Sequence, residues 1–475
     1  MNSTAINKKD NIDCKALKNQ KLATMPIRKL FFQMSIPTLL AQVVNLLYNI
    51  VDRVYVGRIQ ETNGLALAGL GVAFPIVLLV AAFAAFVGMG GAPRAAIAMG
   101  DNDNEKAQKL LGNSVTLIFI FSIGLSLIFY FIKDPVLLLF GASEASLPYA
   151  SDYLGIYLLG TPFVMLALGL NPFITNQGFT KFSMITIVVG CALNIILDPI
   201  FIFVLNLGVK GAAIATVISQ CVSAILTVWF FFTKKSTLKI KPKYLKLSSL
   251  IIGSILSLGV STFIMQATEC LIQLVFNAGM KTYGNDDYVA IMSILFSVIQ
   301  IVFLPMMGFG QGAGPIMSFN YGAKNIKRVK DTFKLFFTVC TTFSVVFVGI
   351  VLLFPQFFIS MFTDNSSLIS LGIAPLRVFI FGMLFFGIQS SCQQTFVSLG
   401  EAKISVFLAT LRKIILLIPL ALIIPAVTNL GVWGLFIAEP ISDIIAIITT
   451  FTVFKIKKKK LLYLPPSTNI KTSNI

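Results

Sequence analysis

The sequence predicts an all-α polytopic membrane protein, with twelve transmembrane helices in two six-helix lobes related by a parallel repeat. Of its 475 residues, 56% are hydrophobic and only 12% are charged. Apolar stretches recur along the whole chain, and the two halves share a register of glycine, proline and lysine. A soluble domain would carry about 25% charged residues. The composition therefore excludes a soluble enzyme, a disordered chain and a disulfide scaffold.

Each apolar stretch is long enough to cross a hydrocarbon layer of about 30 Å as a helix. The longer stretches predict tilted or bent helices that extend beyond the membrane. The predicted helices cover about 28–57, 65–91, 110–132, 151–175, 182–206 and 211–232, then 250–280, 288–312, 331–362, 374–398, 403–427 and 432–454.

The segments outside these stretches divide the chain. Residues 1–27 are polar at first and lack the apolar core of a signal peptide, so we expect a disordered cytoplasmic tail. An N-lobe at 28–232 and a C-lobe at 250–455 flank a basic cytoplasmic linker at 233–249. Residues 456–475 form a second predicted cytoplasmic tail.

The basic residues predict the orientation. With the N-terminus inside, 29 of the 37 Lys and Arg residues fall in inner loops and tails, and five fall outside. Cytoplasmic loops are enriched in Lys and Arg, so both termini are predicted in the cytoplasm of a multi-pass plasma-membrane protein. This distribution accounts for most of the net charge of +18 without nucleic acid. We expect a monomer in the lipid bilayer.

Histidine is absent, which removes histidine bases, Ser-His-Asp triads and histidine metal sites. Five of the six cysteines lie in apolar runs and none forms a Cys-x-x-Cys pair, so we expect small buried hydrophobes. The chain also lacks a P-loop for ATP. No cofactor is expected.

The repeat appears as a constant spacing of 222 residues. Glycine, proline and lysine in one register over about 100 residues outweigh chance matches. Equivalent helices are six apart and cross in the same direction, as in two-lobed secondary transporters. The pairs include Gly88/Gly310, Gly90/Gly312, Pro93/Pro315, Gly100/Gly322, Gly178/Gly400 and Lys181/Lys403, then Gly211/Gly434 and Ser219/Ser442 at a spacing of 223.

Carboxylates inside the predicted helices are candidates for a functional site, because each costs a few kcal/mol of insertion free energy. Depth counting places Asp52, Asp198 and Thr216 in the outer half of the N-lobe, with Asn194 one turn from Asp198. Such hard oxygen ligands suit Na⁺ or a shared proton. The alternative is that each Asp caps a helix or bonds a neighbouring helix.

The C-lobe carries different polar residues. Glu269, Glu439 and Asp443 lie in its predicted helices and could form a second coupling site. The alternative for Glu269 and Glu439 is a pair neutralised with Lys or Arg. The repeat places Leu420 opposite Asp198 and Leu416 opposite Asn194, so the lobes are not chemically equivalent.

Several stretches resemble the multidrug and toxic compound extrusion (MATE) family of antiporters, over about residues 26–455. The helix 5 stretch and the Asn-Tyr-Gly-Ala-Lys loop are fairly specific. The similar stretches are Ser35-Ile36-Pro37, Leu47–Gly57, Asn171-Pro172-Phe173-Ile174, Leu193–Pro199, Gly211–Thr216, Gly310–Pro315 and Asn320–Asn325.

The resemblance implies an exporter of small organic, often cationic and amphipathic compounds, driven by Na⁺ or H⁺ entry. It places the first-lobe cation site on Asp52, Asn171, Asn194, Asp198 and Thr216, and Asn171 enters by resemblance only. It also places a helix 7 acidic residue on Glu269. Ser261 stands where the family usually has proline, and Thr175-Asn176-Gln177-Gly178 lacks the usual Arg-Ala.

Two other functions fit a chain of this kind. A flippase of a lipid-linked precursor would share the two-lobed fold but would need a more cationic cleft. An intramembrane enzyme such as a prenyltransferase would need paired Asp-rich motifs. The single Asp-Asp pair, Asp286-Asp287, lies in a predicted outer loop.

Overall fold

The computed structural model describes residues 21–59 and 64–462, and the predicted tails lie mostly outside these ranges. Twelve helices among the described residues are long and apolar enough to cross a membrane, which confirms the predicted number. They are α1 (Ile27–Gly57), α2 (Leu65–Gly100), α3 (Asn104–Leu139), α4 (Leu147–Asn176), α5 (Thr180–Val204), α6 (Gly208–Phe230), α7 (Ser249–Tyr283), α8 (Asp286–Gly322), α9 (Ile326–Leu353), α10 (Ser366–Ser398), α11 (Ala402–Val427) and α12 (Val432–Lys458).

Three helix ends differ from the sequence prediction by nine or ten residues. The helices α2 and α8 continue to Gly100 and Gly322, nine and ten residues further than predicted. Pro93 and Pro315 therefore lie inside helices rather than at their ends. The helix α9 ends at Leu353 instead of 362, because Pro355 starts a separate short helix.

Two helices contain wide turns next to charged residues. In α5, a π-helical turn at Ile200–Val204 follows Asp198 and Pro199. In α11, a π-helical turn covers Leu411–Leu417 and carries Arg412 and Lys413. Such turns change the rotational phase of a helix and are frequent at functional sites.

The lobes contact each other through glycines that are related by the repeat. A Cβ at Gly100 of α2 would overlap the carbonyl of Phe319 in α8, and a Cβ at Gly322 would overlap the carbonyl of Ile97 in α2. Ile97 and Phe319 are themselves 222 residues apart. The contact is therefore symmetric about an axis between the lobes, which supports the parallel repeat.

Other close approaches between the lobes lie on the same side of the membrane. Gly90 in α2 packs on Gly259 in α7, and its repeat partner Gly312 in α8 packs on Ser35 in α1. The Thr38 hydroxyl donates to the Gly308 carbonyl over 2.7 Å. All these residues lie in the halves of α1, α2, α7 and α8 nearest the start of α1. The close contacts between the lobes thus lie on the predicted cytoplasmic side.

Candidate functional site

Four of the five predicted N-lobe residues form one buried cluster between α1, α5 and α6. The Asn194 amide donates to Asp198 Oδ1 over 3.2 Å and to Thr216 Oγ1 over 3.3 Å. The amide reaches Asp198 because the two residues are one helical turn apart on α5. The carboxyl groups of Asp52 on α1 and Asp198 lie beside each other.

The two carboxyl groups of this cluster lack enough donors. Asp52 Oδ1 and Asp198 Oδ2 are buried without a hydrogen-bond partner, and so is Asn194 Oδ1. Among the described residues, no Lys or Arg nitrogen lies within 4 Å of Asp52 or Asp198. Buried polar atoms of this kind require a partner. A proton or a small cation would supply it.

Arg53 is adjacent to Asp52 in sequence but is directed elsewhere. Its guanidinium lies 4.7 Å from the centre of the Phe74 ring on α2, in a cation–π arrangement. The side chain is exposed, whereas Asp52 is buried. Arg53 therefore leaves the carboxylates without a contact ion pair.

Two tyrosines also belong to the cluster, although the sequence analysis did not predict them as site residues. The hydroxyl groups of Tyr48 on α1 and Tyr153 on α4 lie beside the Thr216 hydroxyl. Tyr48 lies one helical turn before Asp52, so the (i, i+4) spacing could have indicated it. Nothing in the sequence connects Tyr153 to helix α6.

The structure places Asn171 apart from the carboxylates. Its amide donates to Thr186 Oγ1 over 2.9 Å, and its Oδ1 accepts from Ser183 Oγ over 2.5 Å. Ser183 and Thr186 lie near the start of α5, three turns or more from Asp198. Asn171 therefore shares a cavity with the cluster but does not contact either carboxylate.

The cavity that connects these residues lies mostly within the N-lobe, with an empty volume of about 1050 Å³ that includes space open to solvent. Asn171, Asn194, Thr216 and Tyr48 all line it. The C-lobe contributes one wall, from Gln311 and neighbours on α8 and from α10. Most lining residues carry an amide or hydroxyl, and none of the described ones is charged.

The predicted C-lobe residues form ion pairs instead. Arg412 donates from Nε to Asp443 Oδ1 over 2.8 Å, and one terminal nitrogen lies 2.8 Å from the same oxygen. That nitrogen is also 3.6 Å from Glu439 Oε1. Glu439 and Asp443 come together because they are one turn apart on α12.

Lys413 neutralises the third C-lobe carboxylate. Its Nζ lies 2.8 Å from Glu269 Oε2 on α7. The Lys413 side chain is buried, whereas that of Glu269 is 37% exposed. The contacts of Glu269 and Glu439 thus correspond to the ion-paired alternative considered for the sequence, and Asp443 forms an ion pair in the same cluster. Glu439 Oε2 and Asp443 Oδ2 remain without a hydrogen-bond partner.

Two six-helix lobes, a symmetric contact between them and buried carboxylates beside a cavity define a class of protein: a two-lobed membrane transporter. The MatE family model matches residues 37–200 and again 261–423, once in each lobe. The chain belongs to the MatE family. The family consists of transporters, so the chain is not an enzyme.

Relatives extend over nearly the whole chain. The multidrug export protein MepA of Staphylococcus haemolyticus is 27% identical over 429 residues, which are 90% of this chain and 94% of the relative. MepA of Staphylococcus aureus is 25% identical over 430 residues, with the same coverage of both chains.

Solved structures share the fold. One, an outward-facing conformation of a multidrug resistance MATE family transporter, gives a TM-score of 0.86 at 24% identity and covers 93% of this chain and 98% of that one. Another, a MATE protein in the bent conformation, gives 0.86 at 23% identity with the same coverage.

Proposed function

We propose that the chain is a secondary active efflux transporter that exports small organic, often cationic, drugs or toxic compounds in exchange for Na⁺ or H⁺. The observation that carries this proposal is the pair of buried carboxyl groups, Asp52 and Asp198, which have unpartnered oxygens and no base within 4 Å. A buried negative charge needs an exchangeable positive partner. The coupling ion binds there.

The cluster and the cavity share residues, and this sharing couples the two ligands. Asn194 and Thr216 line the cavity and are hydrogen-bonded to each other, while Asn194 also holds Asp198. A proton or Na⁺ at Asp198 turns this carboxylate from a strong acceptor into a satisfied one. The donors of Asn194 and Thr216 are then redistributed. Ion and cargo therefore act on one hydrogen-bond network from opposite sides.

Alternating access requires that each ligand favours one conformation. The glycine contacts of Gly90, Gly100, Gly312 and Gly322 close the side on which α1 begins. With both termini in the cytoplasm, the proposal is that this side is closed while the coupling ion enters from the outside. Ion entry at Asp52 and Asp198 then accompanies cargo release, and cargo loading occurs after the lobes open inward.

The cavity supports cargo that is held by polar contacts without a fixed counter-charge. Its lining offers amides and hydroxyls, and the negative charge lies behind Asn194 and Thr216. Amphipathic cations fit a cavity with this polar lining and nearby negative charge. The relatives' names, multidrug export proteins, are consistent with such cargo. A flippase for a lipid-linked precursor would need basic residues in the cavity, and none of the described lining residues is basic.

The test is dye efflux from proteoliposomes in which a Na⁺ gradient and then a pH gradient are imposed separately. We expect one gradient to drive efflux, and Asp52→Asn and Asp198→Asn to abolish that response at equal protein content. Asp152→Asn is the matched control, because Asp152 is exposed and pairs with Lys210 over 3.4 Å. Full gradient-driven efflux in both cluster variants would disprove the proposal.

A further inference from the structure

Two basic residues on α11 of the C-lobe occupy positions at which the N-lobe has small residues that line its cavity. The spacing of 222 places Arg412 opposite Gly190 and Lys413 opposite Cys191. Gly190 and Cys191 both line the N-lobe cavity. Two long basic side chains in α11 therefore start where the equivalent residues of α5 leave space for cargo.

The packing of the neighbouring helix agrees with this correspondence. In the N-lobe, a Cβ at Gly190 would overlap the hydroxyl of Ser223 on α6. The spacing of 223 places Ala446 of α12 opposite Ser223, so the hydroxyl is absent there. On α12, Ser442 donates to the Arg412 carbonyl over 2.9 Å, and its repeat partner is Ser219, whose carbonyl lies near Gly190.

The Arg412 side chain is held as a bound guanidinium ligand would be. Asp443 accepts from one edge, Glu439 Oε1 lies 3.6 Å from a terminal nitrogen of the same edge, and the Phe386 ring lies 4.6 Å from the guanidinium carbon on one face. Arg412 is 7% exposed. A carboxylate edge and an aromatic face are the two surfaces that recognise guanidinium groups.

The pocket contains one more carboxylate than it has basic side chains. Three carboxylates, Glu269, Glu439 and Asp443, face two basic side chains, and Glu439 Oε2 and Asp443 Oδ2 are buried without partners. Oxygens in this state point to a site built for cations. The neighbouring charged groups are all members of this cluster.

We propose that the C-lobe contains a cation pocket equivalent to the N-lobe cavity, and that Arg412 and Lys413 fill it as built-in ligands. Removing either side chain opens a site for a small guanidinium or alkylammonium cation. This inference rests on the proposed function only in its consequence: Asp52 and Asp198 are the coupling carboxylates because no basic side chain among the described residues occupies their site.

Chemical rescue tests the pocket without any gradient. Purified Arg412→Ala is heated with increasing guanidinium chloride at low millimolar concentration, and Tm is followed. We expect a lower Tm than for the wild type and a saturable rise with guanidinium, by linkage. Tetramethylammonium, which has no N–H donor, should give no rise. The wild type and Arg377→Ala are controls, because Arg377 lies exposed on α10.

A second variant covers the case in which Arg412→Ala does not fold. Lys413→Ala is less disruptive, since Glu269 is partly exposed, and propylammonium is its matching probe. The proposal is overturned if neither variant gains more Tm from its probe than Arg377→Ala does. It is also overturned if Na⁺ or acid, rather than the organic cation, restores Tm, which would assign Glu269, Glu439 and Asp443 to a second coupling site. Absence of transport would leave this result unaffected.

Discussion

In each lobe the fifth and sixth helices carry buried carboxylates, but on different members of the pair and with different partners. In the N-lobe, Asp198 on α5 faces Asp52 and Asn194 without a base within 4 Å. In the C-lobe, Asp443 on α12 is bound by Arg412 from α11. One backbone framework thus supports a carboxylate site without a basic partner among the described residues and a carboxylate site whose basic partner is a side chain of the same lobe.

The difference has an energetic consequence. Breaking a buried ion pair by removing one partner leaves an uncompensated charge and costs several kcal/mol of folding free energy. Neutralising a carboxylate that already lacks a partner removes a cost instead. We therefore expect the N-lobe carboxylates to determine transport and the C-lobe ion pairs to determine stability.

The largest expected effect is on transport by Asp198→Asn. Asparagine keeps the shape of the side chain but can neither bind a proton nor offer a charged ligand to Na⁺. Gradient-driven efflux should be abolished, because the coupling ion has lost its charged ligand. The Tm should stay equal or rise, because an unpartnered buried charge is removed. Efflux at the wild-type rate would contradict the expectation that the N-lobe carboxylates determine transport.

The next effect is on stability, by Arg412→Met. Methionine fills the volume but leaves Asp443 and Glu439 without their base, so unfolding should require about 3–5 kcal/mol less. Chemical denaturation in detergent measures the change. Adding Asp443→Asn should recover part of the loss, since one uncompensated charge is removed. If the single variant matched the wild type, the ion pairs would carry no structural role.

The fold could be predicted from the sequence because its signals are local. Apolar length gave the twelve helices, and glycine and proline positions gave the repeat. The grouping of Asn194 with Asp198 also followed from one helical turn. Contacts that depend on helix rotation could not be predicted. The π-helical turn at Leu411–Leu417 determines where Arg412 points, and nothing in the residue spacing indicates that turn.

Contacts between helices that are distant in the sequence could not be predicted either, because they depend on how the helices pack and rotate. Tyr153 reaches Thr216 only because α4 packs against α6. Asn171 was included by resemblance, but the direction of its face on α4 turns it toward Ser183 and Thr186. The end of α9 at Leu353 was missed because Pro355 lies within an uninterrupted apolar run.

A smaller loss of stability is expected where the two lobes contact each other symmetrically, and it should be equal for the two equivalent glycines. In Gly100→Ala and Gly322→Ala, each new methyl group would overlap a backbone carbonyl of the other lobe. Overpacking of this kind typically costs about 1–3 kcal/mol of stability. The Tm of both variants should fall by similar amounts. Gly124→Ala is the control, because a Cβ there meets nothing within 4 Å.

A large difference between Gly100→Ala and Gly322→Ala would show that the contact is not symmetric. A further readout is the accessibility of the cavity from the side that these glycines close. A cysteine placed at Ser318, which lines the cavity, should react faster with a membrane-impermeant thiol reagent on that side in both variants. Unchanged labelling with a lowered Tm would restrict these glycines to a packing role.

The smallest effect is expected for the pair between Lys413 and Glu269, and it separates the two C-lobe bases. The distance of 2.8 Å equals that between Arg412 and Asp443, but the Glu269 side chain is 37% exposed whereas that of Asp443 is 1% exposed. Because Glu269 is less tightly enclosed than Asp443, a double-mutant cycle with Lys413→Met and Glu269→Gln should give the smaller coupling free energy. The equivalent cycle for Arg412 and Asp443 should give several times more. Equal coupling free energies would show that burial does not determine the strength of these two ion pairs. Arg412 and Lys413 would then both be strongly bound and both contribute to stability.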